Sequence, residues 1–100
     1  MTGSDALTED RTGPLCAAIA VEIREVRSLI DGLATLLAAD ARFAADYLEQ
    51  FQTFDLIAQR ADESAAVLDR LAAGQSASDA IAPVRLTAVH TRLHAALAEI

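Results

Sequence analysis

Ala38-Ala39-Asp40-Ala41-Arg42 is the stretch on which the architecture turns. It separates two long amphipathic patterns and contains neither Pro nor Gly, so the backbone alone permits one continuous helix. Asp40 argues for a break. A carboxylate just ahead of a helix accepts hydrogen bonds from the free N–H groups of the first turn. With Asp40 as a cap, the two patterns fold back on each other as a hairpin; without it they form one long rod.

Upstream, Leu15, Ile19, Ile23, Val26, Ile30, Leu33 and Leu37 recur at steps of 4, 4, 3, 4, 3 and 4. This is a seam with a period near 3.5, as in bundle helices. Glu22, Arg24, Glu25, Arg27 and Asp31 fall on the other faces. Thr12-Gly13-Pro14 marks a start, because Pro suits the first helical position. Residues 1–13 are polar and turn-rich and read as a flexible arm. Gly32 lies inside the pattern at a cost of about 1 kcal/mol relative to Ala; it is either a point of close helix approach or simply tolerated.

Downstream, Phe43, Tyr47, Phe51, Phe54, Ala58, Ala61, Ala65, Leu68 and Ala72 form a second stripe, aromatic at one end and alanine-rich at the other. Gly74 ends it, as a glycine in the left-handed conformation commonly does. Gln75 to Ala82 is a connector in which Ser76-Ala77-Ser78-Asp79 resembles a capping box. From Pro83, a third and shorter helix carries Leu86, Val89, Leu93, Leu97 and Ile100. The expected fold is all-α: helices over about 14–39, 41–73 and 83–99, in a single domain spanning 14–100. Two long antiparallel helices and a short third one would dimerise into a four-helix bundle.

Composition points the same way. One hundred residues suggest one domain, and 53% hydrophobic content with only 4% aromatic gives a modest core. Sharing that core between two chains is attractive. The net charge of −7 disfavours sequence-independent binding to nucleic acid or to anionic membranes. All eight basic residues are Arg, a bias typical of a GC-rich bacterial genome. Cys16 is the sole cysteine, so no intrachain disulfide forms. Residues 1–11 lack the apolar run of a signal peptide, and no window is apolar enough to span a bilayer. A cytoplasmic location is expected.

The candidate chemistry lies in Leu48–Arg60. With Phe51, Phe54, Ala58 and Ala61 facing the core, the opposite arc carries Glu49, Gln52, Leu56, Gln59, Arg60 and Glu63, with Asp55 at its flank. Asp55 and Gln59 are four apart, which places them on one helix face about 5–6 Å apart at Cβ. A Gln amide can hold an attacking water through one donor and one acceptor. An acid beside it can pair with a partner's lysine. Leu56, a large aliphatic among polar residues, suits a docking surface together with Gln52 and Arg60.

Asp55-Leu56-Ile57-Ala58-Gln59, preceded by Phe51-Gln52-Thr53-Phe54, resembles the helical signature of the CheZ family of chemotaxis phosphatases. That family inserts an Asp-Leu-x-x-Gln segment into the receiver domain of a response regulator. The resemblance implies that Gln59 orients water against an aspartyl phosphate and that Asp55 contacts the receiver's lysine. It implies no cofactor of the chain's own, since the receiver supplies Mg²⁺. It also implies a hairpin that dimerises into a four-helix bundle. The likeness covers about ten residues; the chain is about half the family's length and has no linker to a separate docking helix, unless residues 83–100 serve in that place.

Other readings stand beside this one. A non-catalytic helical adaptor would bind a signalling partner through Leu56 or the third helix. A histidine phosphotransfer domain would use His90 or His94, although neither is followed by the Lys and Gly common there. The two histidines have a spacing that can ligate metal, but no Cys or further His completes a set, so no metal site is expected. Cys16, near a helix start, reads as a partly buried inert thiol, and the aromatic cluster reads as core.

Overall fold

The computed structural model describes residues 2–98, with the side chains of residues 11–98. Five helices follow in order: α1 Thr2–Ala38, α2 Ala41–Asp46, α3 Leu48–Ala72, α4 Ala77–Ile81 and α5 Thr87–Ala98. The fold is all-α, with two long helices.

The turn at Asp40 is present. Its carboxylate accepts from the backbone N–H groups of Arg42 and Phe43 at 3.0 and 3.2 Å, starting the six-residue α2. Tyr47 then interrupts the helix before α3 begins, so the expected helix over 41–73 is divided in two. Phe43 stacks on Tyr47 with ring centroids 4.5 Å apart, and meets Phe51 edge-on at 5.8 Å. Phe51 in turn meets Phe54 at 6.0 Å. The aromatic cluster therefore packs the tip of the hairpin.

α1 and α3 lie antiparallel along most of their length. Gly13 of α1 lies against Ala72 of α3, where an added Cβ would stand 3.4 Å from the Ala72 carbonyl oxygen. Further along, Arg24 pairs with Asp69 at 2.7 Å, and Arg27 reaches Asp62 at 3.3 Å and also pairs with Asp31. The contact itself is built on small residues, with Ala20, Ala58 and Ala65 buried.

Two expectations are corrected here. The first helix was expected to open at Pro14, but α1 begins at Thr2 and Pro14 is internal. An internal proline deletes one ladder hydrogen bond, and the helix runs on through that loss. The expected arm over 1–13 is thus helical from Thr2 onward; Met1 lies outside the described residues.

The expected seam of α1 is also corrected, because it mixes two stripes. Ile23, Ile30 and Leu37 face α3 together with Cys16, Ala20, Arg27 and Ala34. Leu15, Ile19, Val26 and Leu33 stand 41% to 60% exposed. The alanine run of α3 gives α1 a narrow face to pack on, and small residues of α1 fill it better than large ones.

The second stripe holds from Phe51 to Ala72, all of it buried or half-buried, while Tyr47 stands exposed at the break. Gly74 ends α3 with φ +93°, its N–H bonding to Leu71 O while the Gln75 N–H bonds to Arg70 O. This is the paired hydrogen bonding of a Schellman C-cap. Ser76 caps α4, its hydroxyl accepting from the Asp79 N–H at 3.1 Å. The third amphipathic helix starts at Thr87 rather than Pro83. Val67, Ala80, Ile81, Val84 and Val89 form a small buried cluster, and Leu71, Leu86, Leu93 and Leu97 pack against it. Ile100, expected to belong to that face, lies outside the described residues.

Two further ties seat α4 and the connector leading to α5 on α3. The Arg70 Nε–H donates to Ala80 O at 2.7 Å, and the Arg85 N–H donates to Glu63 Oε1 at 3.1 Å. α3 is thus the central helix, with α1 on one side and α4 and α5 on the other. The radius of gyration is 17.5 Å and the extents are 63 × 25 × 18 Å, against about 13 Å for a compact chain of this length. No large side chain is fully buried among the described residues.

Gly74 and Gly32 should respond to Ala in opposite directions. Gly74→Ala forces a Cβ into a left-handed conformation and is expected to cost about 1 kcal/mol. Gly32 has nothing within 4 Å of a Cβ, so Gly32→Ala is expected to gain about as much through helix propensity. Thermal melts followed by circular dichroism should show shifts of roughly 4–8 °C, down and up respectively. Arg70→Met keeps the apolar stem but deletes the bond to Ala80 O. It is expected to cost about 1–3 kcal/mol, and native-state hydrogen exchange should speed up over residues 77–84 before it does over α1.

Candidate functional site

Along α3, the residues that face α1 set a reference from which every other side chain can be placed. Each residue following one of them is turned by about 100° to one flank, and each residue preceding one is turned as far to the other. Gln52 follows Phe51, Asp55 follows Phe54, Gln59 follows Ala58, Asp62 follows Ala61 and Asp69 follows Leu68. This is the flank tied to α1 through Arg24 and Arg27. It is polar at each of these positions, and Ala66, which follows Ala65, is its one apolar member between Gln52 and Asp69.

Gln52, Asp55 and Gln59 are all exposed, and their side chains make no hydrogen bond or ion pair among the described residues. Asp55 and Gln59 stand one turn apart on a 25-residue helix, so the separation of their Cβ atoms is fixed by the helix itself. Their neighbours are already engaged: Asp62 by Arg27, and Glu63 by the backbone of Arg85. An amide with free donors and acceptor next to a free carboxylate can orient one water and receive one cation.

Gln59 also edges an open groove of about 630 Å³, bounded by Asp62, Glu63, Arg70, Arg85 and Leu86. The acids of this rim are legible at i+3 and i+4 from Gln59. Arg85 is not, since only the tertiary fold brings it there.

Leu56 and Arg60 do not share this flank. They turn toward α5 and, with Leu86, Val89 and Arg92, line a shallower hollow of about 130 Å³. Leu56 remains 46% exposed. The patch expected as one docking surface is therefore two: Gln52, Asp55 and Gln59 on one side, and Leu56 and Arg60 against α5 on the other.

The remaining candidates lie apart from both. His90 and His94 stack on α5 with ring centroids 6.0 Å apart, His94 exposed and His90 half-buried. Among the described residues no three His, Cys, Asp or Glu side chains converge as metal ligands would. Cys16 is a free thiol, half-buried on the α1 face toward α3. Among the described residues no helix is long and apolar enough to cross a membrane.

Comparison of the chain with protein-family models, with curated proteins and with solved structures finds no match.

Proposed function

We propose that this protein acts on the receiver domain of a response regulator in the bacterial cytoplasm and hastens the loss of its aspartyl phosphate. One observation carries the reading. Asp55 and Gln59 stand exposed and unengaged on one face of the central helix, on the flank that α5 leaves open.

In this reading α3 presents both side chains to the receiver's phosphorylation site. The Gln59 amide holds a water in line with the phosphorus atom, and Asp55 pairs with the receiver's lysine. The receiver brings its own Mg²⁺. Phosphoryl transfer asks little covalent chemistry of a protein, and positioning plus charge placement supply most of the acceleration. A rigid helix suits that task, because the two groups keep their separation without a loop having to order. The working unit is a homodimer whose long helices form a four-helix bundle, which gives two such faces per particle.

A second reading, that of a non-catalytic adaptor, is favoured by the hollow between α3 and α5. There a half-exposed Leu56 and the Arg60 and Arg92 guanidinium groups offer an apolar spot flanked by positive charge. An adaptor would bind its signalling partner there without altering phosphate lifetime.

The decisive measurement follows phosphate on receiver domains charged with acetyl phosphate and Mg²⁺. The wild-type chain is expected to shorten the phosphate half-life, and Gln59→Ala to remove most of that effect, roughly 10²-fold or more as for other orienting hydrogen-bond groups, while binding persists. A fully active Gln59→Ala chain overturns the mechanism. Binding with an unchanged half-life, lost in Leu56→Asp, assigns the chain to the adaptor class.

A further inference from the structure

α1 carries two apolar stripes side by side, and α3 covers only one. The covered stripe is Cys16, Ala20, Ile23, Arg27, Ile30, Ala34 and Leu37. The second stands one residue earlier at every position: Leu15, Ile19, Glu22, Val26, Leu29, Leu33 and Leu36. Its six aliphatic residues are 60%, 41%, 54%, 74%, 48% and 71% exposed in chain order. The steps are 4, 3, 4, 3, 4 and 3, three heptads without interruption. That is the repeat by which one helix packs against another over a long distance.

From the geometry we infer that this stripe seats a second copy of the chain, with the two α1 helices antiparallel and crossing at Val26. The inference deepens the dimer reading given above and is independent of the phosphatase chemistry. The exposed aliphatic residues of the stripe amount to roughly 600 Å² per copy, so two copies together come to the lower end of the range of about 1,200–2,000 Å² typical of stable interfaces.

Charge selects both the occupant and its direction. Glu22 is the single charged residue in the stripe. A parallel pair in register would set the two Glu22 carboxylates face to face in the seam. An antiparallel pair centred on Val26 places Leu15 opposite Leu36 and Ile19 opposite Leu33, and it brings Glu22 opposite Leu29. The contacts Gly13–Ala72, Arg24–Asp69 and Arg27–Asp62 fix the register of α1 and α3 to within a turn, and the middle one of the three, Arg27–Asp62, sets Arg60 level with Leu29. Arg60 precedes Ala61, so it leans to the same flank as the bare stripe. It is exposed, and its side chain has no hydrogen bond or ion pair among the described residues. Glu22 of each copy thus meets Arg60 of the other. Arg24 and Asp31 follow core positions and lie on the opposite flank, as do Asp55 and Gln59, so the second copy leaves both of those side chains uncovered.

The test uses the full chain. Light scattering at about 100 μM, far above the dissociation constant of an ordinary stable dimer, is expected to give the dimer mass. Leu29→Asp should give a monomer with its helical circular dichroism intact. Glu22→Arg should weaken the dimer by about tenfold or more, and adding Arg60→Glu in the same chain should restore most of the loss, as paired charges across an interface do. For direction, Leu15→Cys and Leu36→Cys chains, each in a Cys16→Ser background, are mixed and oxidised. A predominant mixed disulfide supports the antiparallel pair, and predominant like-with-like disulfides overturn it. A wild-type monomer mass, or an unaltered dimer in Glu22→Arg, overturns the interface. These readouts are mass and cross-linking, so their failure is distinct from an inactive phosphatase, which shows only in phosphate half-life.

Discussion

The close approach of α1 to α3 is the constraint on which the rest depends. It is made by small residues: Gly13 against Ala72, and the buried Ala20, Ala58 and Ala65. Close-set helices gain dispersion contacts along their whole length but have little room for large side chains between them. Of the large aliphatic residues of α1, Ile23, Ile30 and Leu37 keep a place at the contact, while Leu15, Ile19, Val26, Leu29, Leu33 and Leu36 stand on its flank, where they remain bare. One packing choice therefore accounts for both the slender hairpin and its apolar face.

The same choice sorts the polar groups. The ion pairs between α1 and α3 all lie on one flank, and exposed pairs of this kind contribute only about 0–1 kcal/mol each. Their larger role is in register, since they pin which turn of α1 meets which turn of α3. The same flank carries Gln52, Asp55, Gln59, Asp62 and Asp69, so an open carboxylate and an open amide sit there without disturbing the core. The hairpin consequently has one face suited to water and ions and another suited to a helix.

Much of the fold is legible in the sequence because it is written locally. Asp40, Gly74 and Ser76 each act through the backbone within a few residues, and each does what its side chain or conformational freedom dictates. The exposure of Asp55 and Gln59 also follows from local spacing, once Phe54 and Ala58 are assigned to the core. The choice between the two stripes of α1 is not local. Both have heptad spacing, and the narrow alanine face of a helix some forty residues away selects the one with the smaller side chains. The division of Leu56 and Arg60 from Gln52, Asp55 and Gln59 is similarly hidden. It depends on where Arg70 and Glu63 dock the chain from Ala80 to Arg85, a long-range outcome that no periodicity records. The start of α1 escaped for another reason: a proline inside a helix ordinarily costs about 3 kcal/mol and marks a start or a break, yet α1 continues through Pro14.

The absence of any fully buried large side chain among the described residues has a thermodynamic consequence. The heat-capacity change of unfolding tracks the apolar surface newly exposed to water, and this hairpin hides little of it as a single chain. Its free energy of unfolding should therefore vary gently with temperature, without the pronounced curvature of a globular domain of equal length. The slope of its stability against denaturant should be shallow for the same reason. Covering the bare face of α1 would steepen both, so the shape of the stability curve itself would report how much of the helix surface is dry.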